Sequence, residues 1–290
     1  MALAQTLFQS QLITVERLDH SFHVPPGGLW DDQSDRHSIN FVERGSFSIT
    51  VGRQHWTVGQ TEILVTVPGM AYQCRERVGS EGARHGVCLD VCFSERSRDA
   101  VEGMRVEALR DRTPVVAVNN RRAYLQQRLA AHLDAGQDRL ALDLIAGELL
   151  HSTLTDATPC RRRYKASRLR WYANRVDQAR QELDEHYASD HSLAGLARTA
   201  GMSSYHFARI FRELSGLPPH RYLVRRRLNA AAERLRDGAS VTDTCYAVGF
   251  GSLSHFVHAF HAARGMTPSE FRSNPSGDAA PFFCRVSAAT

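Results

Sequence analysis

Fourteen histidines and six cysteines give this 290-residue chain the means to hold a metal or attack a bond, but their spacing suits neither task. There is no HExxH, no HxH, no CxxC pair and no nucleophile motif, so no enzyme is expected, and neither a cofactor nor a catalytic metal is predicted. Spacing instead favours hydrogen-bond donors at helix starts. Ser204, Tyr205, His206 and Arg209 take outward positions early in one predicted helix, and Ser252, Ser254, His255 and His258 do so in another. Donors early on a helix are what a major groove can receive, provided that apolar residues hold the helix's other face to a core.

The elements that position these donors read as two helix-turn-helix units between Ser192 and Arg272. In SLAGLARTAGMSSYHFARIFRELSG, Leu193, Leu196, Ala197 and Ala200 recur at helical spacing until Gly201, and Met202 and Ser203 make the turn. Ser203 can cap the next helix, whose apolar face is Phe207, Ile210, Phe211 and Leu214 and whose stop is Gly216. The second unit repeats this grammar with Val241, Cys245 and Val248, then Phe250 between Gly249 and Gly251, then Phe256, Val257 and Phe260. A linking helix from about Pro219 to Leu235, carrying Arg221, Arg225, Arg226 and Arg227, fixes the spacing of the two units. Both readers could then reach successive major-groove faces roughly 34 Å apart.

Charge divides along the same line. Residues 161–272 hold 19 Lys or Arg against 10 Asp or Glu, a net +9, whereas residues 1–160 hold 16 against 20, a net −4. Polyanion binding by the second half alone fits this split, and so does a solvated surface in an arginine-rich proteome, since Lys165 is the one basic residue that is not Arg. The N-terminus lacks the basic start and long apolar run of an export or membrane signal, so a cytoplasmic protein with no membrane partner is expected.

The first half reads as β-structure: short alternating runs Ile39-Phe41, Phe47-Ile49-Val51 and Trp56-Val58 are separated by glycine-marked turns, as in a sandwich or barrel. HGVCLDVCF puts Val87, Leu89, Val91 and Phe93 on one face and Cys88, Asp90 and Cys92 on the other. Cys74, Cys88 and Cys92 could hold a soft metal or answer an oxidant, but Cys88 and Cys92 stand roughly 13 Å apart on a regular strand, too far to share an ion. Apolar packing is the favoured reading of the three thiols. Beyond Pro114 come two amphipathic helices, with stripes Tyr124, Leu125, Leu129, Leu133 and Leu140, Leu144, Ile145, Leu149, Leu150, which would cover the barrel or pair with a second subunit. Thr155–Pro159 and the basic run Arg161–Arg163 read as a join, followed by a helix from roughly Arg168 to His186 with Trp171, Val176, Ala179 and Leu183 on one side. The tail from Ser273 to Thr290, rich in small residues, is expected to be mobile.

Residues 176–272 resemble the DNA-binding domain of the AraC/XylS family of bacterial transcription regulators. The match runs through Leu193–Ala197, Gly201–Ser203, Phe207–Arg212, Gly216–Pro219, Tyr222-Leu223, Arg227-Leu228 and Ala231. It ends on Ala247–Phe250, Ser254–Phe256, Phe260, Gly265–Pro268 and Phe271-Arg272. By that resemblance Ser204, Tyr205, His206 and Arg209 face the bases, with Arg209 foremost because a guanidinium bridges guanine O6 and N7. The resemblance adds Arg212 and the phosphate-approaching Arg272 to the DNA-binding set. His258 and His261 stand where the family usually carries Arg and Lys, so the second reader should grip phosphate less tightly.

The run from Trp56 to Gln73 resembles a cupin-like sensor domain, with Gly59, the strand Ile63–Val67 and Pro68-Gly69; Tyr72 replaces the histidine that metal-binding cupins carry there. A barrel used as a binding pocket follows, with Trp30, His37, Tyr72 and Cys74 as candidate lining. The expected fold is α+β: a cupin-like β-barrel with two following helices over 1–157, a basic linker and helix start at 158–175, an all-α DNA-binding domain at 176–272 and a tail. The resemblance implies a homodimeric, effector-responsive regulator, more activator than repressor, whose partners are promoter DNA, a small-molecule effector and RNA polymerase. A constitutive DNA binder and a thiol- or metal-responsive regulator are the alternatives.

Overall fold

Period-two alternation broken by turn glycines folds the first half of the chain into antiparallel strands. The computed structural model describes residues 3–19, 29–76, 86–94, 114–136, 138–155 and 163–274. Its strands are β1 (Leu3–Gln9), β2 (Ile13–Asp19), β3 (Leu29–Gln33), β4 (His37–Arg44), β5 (Phe47–Val51), β6 (Gln54–Val58), β7 (Glu62–Thr66), β8 (Ala71–Glu76), β9 (Val87–Phe93) and β10 (Val115–Ala117). They form one six-stranded sheet, ordered β1-β2-β9-β4-β7-β10, and one four-stranded sheet, ordered β3-β8-β5-β6. No ladder among the described residues closes the two into a barrel. Val42, Leu64 and Cys88 of the larger sheet share a core with Ile49, Val58 and Cys74 of the smaller, so the sheets face each other.

Register sorts the larger sheet's inner face into rows. Thr14, Cys92, Ser38 and Thr66 lie side by side, then Glu16, Asp90, Asn40 and Leu64, then Leu18, Cys88 and Val42. One end of the space between the sheets is therefore polar and the other apolar.

Two helices follow, α1 (Asn120–Asp134) and α2 (Arg139–Thr155). The buried Arg122 ties them together, donating to the Ala117 and Ser152 carbonyls at 2.6 and 2.7 Å. Ser10 Oγ donates to Asp143 at 2.6 Å, linking α2 to the β1–β2 turn. The expected stripe on α2 needs correction: Leu140 and Leu144 are 63% and 44% exposed. Leu142, Ile145, Ala146, Leu149 and Leu150 take the buried face, and at 100° per residue Leu140 and Leu144 fall on the far side of that arc. No helix among the described residues is long and apolar enough to cross a membrane.

The chain divides into two units, Met1–Arg162 and Arg163–Thr290. In the second, α3 (Ala166–Glu185) is one continuous helix, followed by α4 (Leu193–Thr199), α5 (Ser204–Ser215), α6 (Pro219–Arg236), α7 (Val241–Ala247), α8 (Leu253–Arg264) and α9 (Pro268–Ser273). Ser192, Ser203, Ser240 and Ser252 each cap the helix that follows, and Gly216 and Gly265 end α5 and α8 in left-handed conformations. Thr267 and Glu270 complete a capping box on α9. Leu169, Tyr172, Ala173, Val176, Ala179 and Leu183 form the buried face of α3. Trp171, expected on that face, lies opposite it at 41% exposure with the Arg175 guanidinium 3.6 Å from its ring centroid. Leu193 is likewise 42% exposed, at the first turn of α4, where the core does not reach. Arg161, Arg162, Cys160 and the tail beyond Asn274, with Cys284, lie outside the described residues.

The α7–α8 turn leaves no room for a side chain at Gly249, whose φ is +90° and where a Cβ would meet the Ala188 carbonyl oxygen at 2.5 Å. Gly249→Ala is therefore expected to destabilise the second unit by about 2–4 kcal/mol, the sum of left-handed strain and a backbone clash. Urea unfolding followed by tryptophan fluorescence and by circular dichroism measures it, and an unchanged midpoint would refute this account of the turn.

Candidate nucleic-acid interface and inner cavity

Capping and aromatic packing together aim the polar faces of α5 and α8. On α5, Phe207, Ile210, Phe211 and Leu214 are fully buried, with Phe207 against Phe211 and Phe211 edge-on to Tyr222 at 5.6 Å each. On α8, Phe256 and Phe260 do the same, within a chain of ring contacts from Phe250 to Phe271. Each helix thus turns its opposite side to solvent.

The expected α5 residues do not all stand alike. Tyr205 is 82% exposed at the first turn, and Ser204 is half-buried beside it. His206 is also half-buried, its Nε2 3.2 Å from Tyr172 Oη and its ring against that tyrosine, so α3 holds it in place. Arg209 is half-exposed and lies 3.7 Å from Glu213, whose carboxylate also accepts from Tyr164 Oη at 2.7 Å. Glu213 therefore steadies the guanidinium without burying it. Arg212 is exposed in the last turn.

On α8, Ser252 is the N-cap, with Oγ facing the His255 amide, and Ser254, His255 and His258 are exposed. His255 rests edge-on against Phe250 at 5.4 Å. His261 and Arg272 are exposed nearby. Sequence reasoning missed Leu253, 36% exposed at the same helix start, and Tyr246, 58% exposed on α7. It also left open what the α6 arginines do inside the domain. Arg227 Nε and Nη2 donate to the carbonyls of Tyr187 and Ser189 at 2.7 and 2.9 Å, and burial lowers its pKa. Arg226 lies over the Tyr187 ring at 4.5 Å. Both positions look unremarkable in the sequence, because a solvated arginine and a stapling arginine leave the same trace there.

In the first unit a cavity of about 220 Å³ opens between the two sheets at their polar end. Tyr72 and Cys74 line it. Trp30 pairs with Cys74 in the β3–β8 register, and His37, one residue out of phase with Ser38 and Asn40, belongs to the other face of β4. Tyr72 Oη donates to Asp32 at 3.0 Å, and burial raises its pKa. Cys74, Cys88 and Cys92 are buried free thiols; burial pushes Cys74 and Cys88 up to about 12 and raises Cys92 as well. At neutral pH they are protonated thiols, poor as metal ligands and slow towards oxidants. Asp90, missed as a site residue, sits at the centre of its row with Cys92 Sγ 3.3 Å from Oδ2. Burial holds its carboxyl above the ordinary aspartate range.

Comparison with known proteins places the second unit. Residues 196–274 match the family model described as a helix-turn-helix domain. The chain is 25% identical to the probable transcriptional regulator LumQ of Photobacterium leiognathi over 77% of this chain and 86% of that protein. It is 33% identical to the HTH-type transcriptional activator RhaS of Shigella boydii, over 36% of this chain and 38% of that protein, so that match spans under half of RhaS. Among solved structures, that of a probable AraC family transcriptional regulator from Rhodopseudomonas palustris is 28% identical, covering 37% of this chain and 99% of that one, with a TM-score of 0.33.

The Asp90 environment has a measurable cost. In the unfolded chain its carboxyl ionises near the usual value of about 3.9, whereas the folded protein holds the proton to higher pH. The penalty for ionised Asp90 therefore grows as pH rises from the unfolded value to the folded one and is constant above it. Asp90→Asn should stabilise the protein at pH 7.5 by about 1–3 kcal/mol, with the gain vanishing below pH about 4. Chemical denaturation at both pH values measures it; equal or lower stability of the variant at pH 7.5 would refute the assignment.

Proposed function

As a chain whose C-terminal domain belongs to the AraC family of DNA-binding transcriptional regulators, the protein is, we propose, an effector-responsive activator reading a nonpalindromic promoter site with α5 and α8. The observation that carries this reading is the pair of serine-capped helices, each with exposed donors at its N-terminal turns and fully buried aromatics behind. In this reading Ser204, Tyr205, Arg209 and Arg212 serve the first reader and Ser252, Ser254, His255 and His258 the second, with Arg272 at a phosphate. His206 acts through its contact with Tyr172 as well as towards DNA. Residues 158–175 then lead into the DNA-binding domain, and the first unit, cupin-like in its two facing sheets, senses a small molecule in the inner cavity. Its two states differ in how they hold the DNA-binding domains. Homodimerisation, contact with RNA polymerase and a cytoplasmic location complete the proposal. RhaS, matched over 36% of this chain, bears the name of an activator, which supports that direction of control.

A constitutive binder would show the same affinity for DNA with and without effectors. For the readers themselves, Arg209→Ala is expected to relax base preference at one position of the site by about 1–3 kcal/mol, read by competition between the specific site and its single-base variants. Equal discrimination by wild type and variant would remove Arg209 from base reading. Conversely, His258→Arg should tighten binding to any duplex and steepen the fall of affinity with salt by about one unit of log–log slope. A salt slope identical to wild type would place His258 away from the phosphates.

A further inference from the structure

The cavity of the first unit carries more information than its existence, because its wall is unbalanced in two independent ways. The first is hydrogen bonding. Asp90 Oδ1 and Asn40 Oδ1 are buried without a hydrogen-bond partner among the described residues, and they are direct cross-strand neighbours on β9 and β4. Both are acceptors. Of the donors around them, Tyr72 Oη donates to Asp32, Ser34 Oγ to the Arg36 carbonyl at 2.8 Å, Arg36 Nε to Asp35 at 3.1 Å and Cys92 Sγ to Asp90 Oδ2, while Ser38 Oγ lies 2.9 Å from Thr66 Oγ1 and also reaches towards the Asp90 carboxyl. Buried acceptors left over in this way destabilise the fold, and a guest with N–H groups would relieve them.

The second imbalance is charge. Among the described residues, carboxyl groups of Glu16, Asp32, Asp35 and Asp90 line the space against one guanidinium, that of Arg36, which is itself paired with Asp35. Glu16 stands directly beside Asp90 in the β2–β9 register, so two carboxyls and the Asn40 carbonyl oxygen form one continuous acceptor row. A neutral polyol could use the acceptors but would leave the charge uncompensated, and an anion would worsen it. A cation answers both, with hydrogen bonds that are about twice as strong as neutral ones. At about 220 Å³ the space is smaller than the roughly 300–1,000 Å³ of drug-sized sites, which limits the guest to a few carbons around its charged head. Leu18, Leu64 and Phe47, at the apolar edge of the cavity, suit the short hydrocarbon part.

We propose that this cavity is a binding site for a small ammonium- or amidinium-bearing molecule, whose N–H groups seat on Asp90 and Asn40 with Glu16 as the neighbouring counter-charge. The inference rests on the effector reading above and specifies its ligand class. The guest converts a strained row of acceptors into a satisfied one, so it stabilises the ligand-competent arrangement of the two sheets.

The test uses the full-length chain in thermal-shift and calorimetric titrations with three matched panels: amines and amidines (putrescine, agmatine, benzamidine), polyols (1,4-butanediol, erythritol) and carboxylates (succinate, benzoate). The expected result is stabilisation by at least one amine or amidine and by no carboxylate. Affinity for that compound should fall at least tenfold in Asp90→Asn and less in Glu16→Gln. Circular dichroism of both variants establishes that they fold, so a lost response is not lost structure. Binding confined to polyols or carboxylates would overturn the cationic class while leaving an effector site in place. Amine binding unchanged in both variants would overturn the seat on Asp90, and silence from all three panels would overturn this inference and the effector reading together.

Discussion

The geometry of the DNA-binding domain depends on how the short segment after α3 is held, two of its backbone carbonyls by hydrogen bonds and a third by close approach. Arg227, on the long α6, reaches back to the Tyr187 and Ser189 carbonyls, while the turn at Gly249 closes against the carbonyl of Ala188 between them. The first contact belongs to the helix linking the two helix-turn-helix motifs, and the second to the turn of the second motif. A charged donor held by two carbonyls is directional in a way that apolar packing is not, so it fixes the position of α6 against the segment after α3.

Around that grip the domain divides its labour by face. Phenylalanines hold α5 and α8 from behind, serines fix where each helix begins, and exposed donors run along the outer face from Tyr205 to Arg212 on α5 and from Ser254 to His261 on α8. The positive balance of residues 161–272 is spent partly inside the domain: Arg227 on carbonyls, Arg226 on Tyr187 and Asp184, Arg175 on Trp171 and the Ala200 carbonyl. Net charge overstates what is offered to a polyanion when the fold itself consumes guanidinium groups. The first unit shows the reverse, an excess of carboxyls gathered at one end of a cavity.

Element types were legible in the sequence wherever a short period met a strong stop. The capped helices between Ser192 and Asn274 follow from serine before an apolar stripe and glycine after it, and the strands follow from alternation between glycine turns. Phase was less legible. Leu140, Leu144 and Trp171 are apolar residues near a stripe but about half a turn off it, and hydrophobicity without a wheel angle counts them with the core. Partners across the fold were least legible. Nothing in the string around His206 announces Tyr172, thirty-four residues earlier, and nothing around Asp90 announces that Asn40 and Glu16 will flank it on two different strands. Such neighbours are created by register, which one sequence does not state.

The carbonyl grip also bears on promoter architecture. If α5 and α8 read DNA as proposed, they form a gauge of fixed separation, and a duplex winds about 35° per base pair, given roughly 10–10.5 pairs per turn. Adding or deleting one base pair between the two half-sites would therefore rotate one of them out of the path of its helix, and a side chain anchored on two carbonyls leaves little slack to follow. On the proposed reading, helical phasing along the promoter, as much as base identity, would depend on residues 187–189.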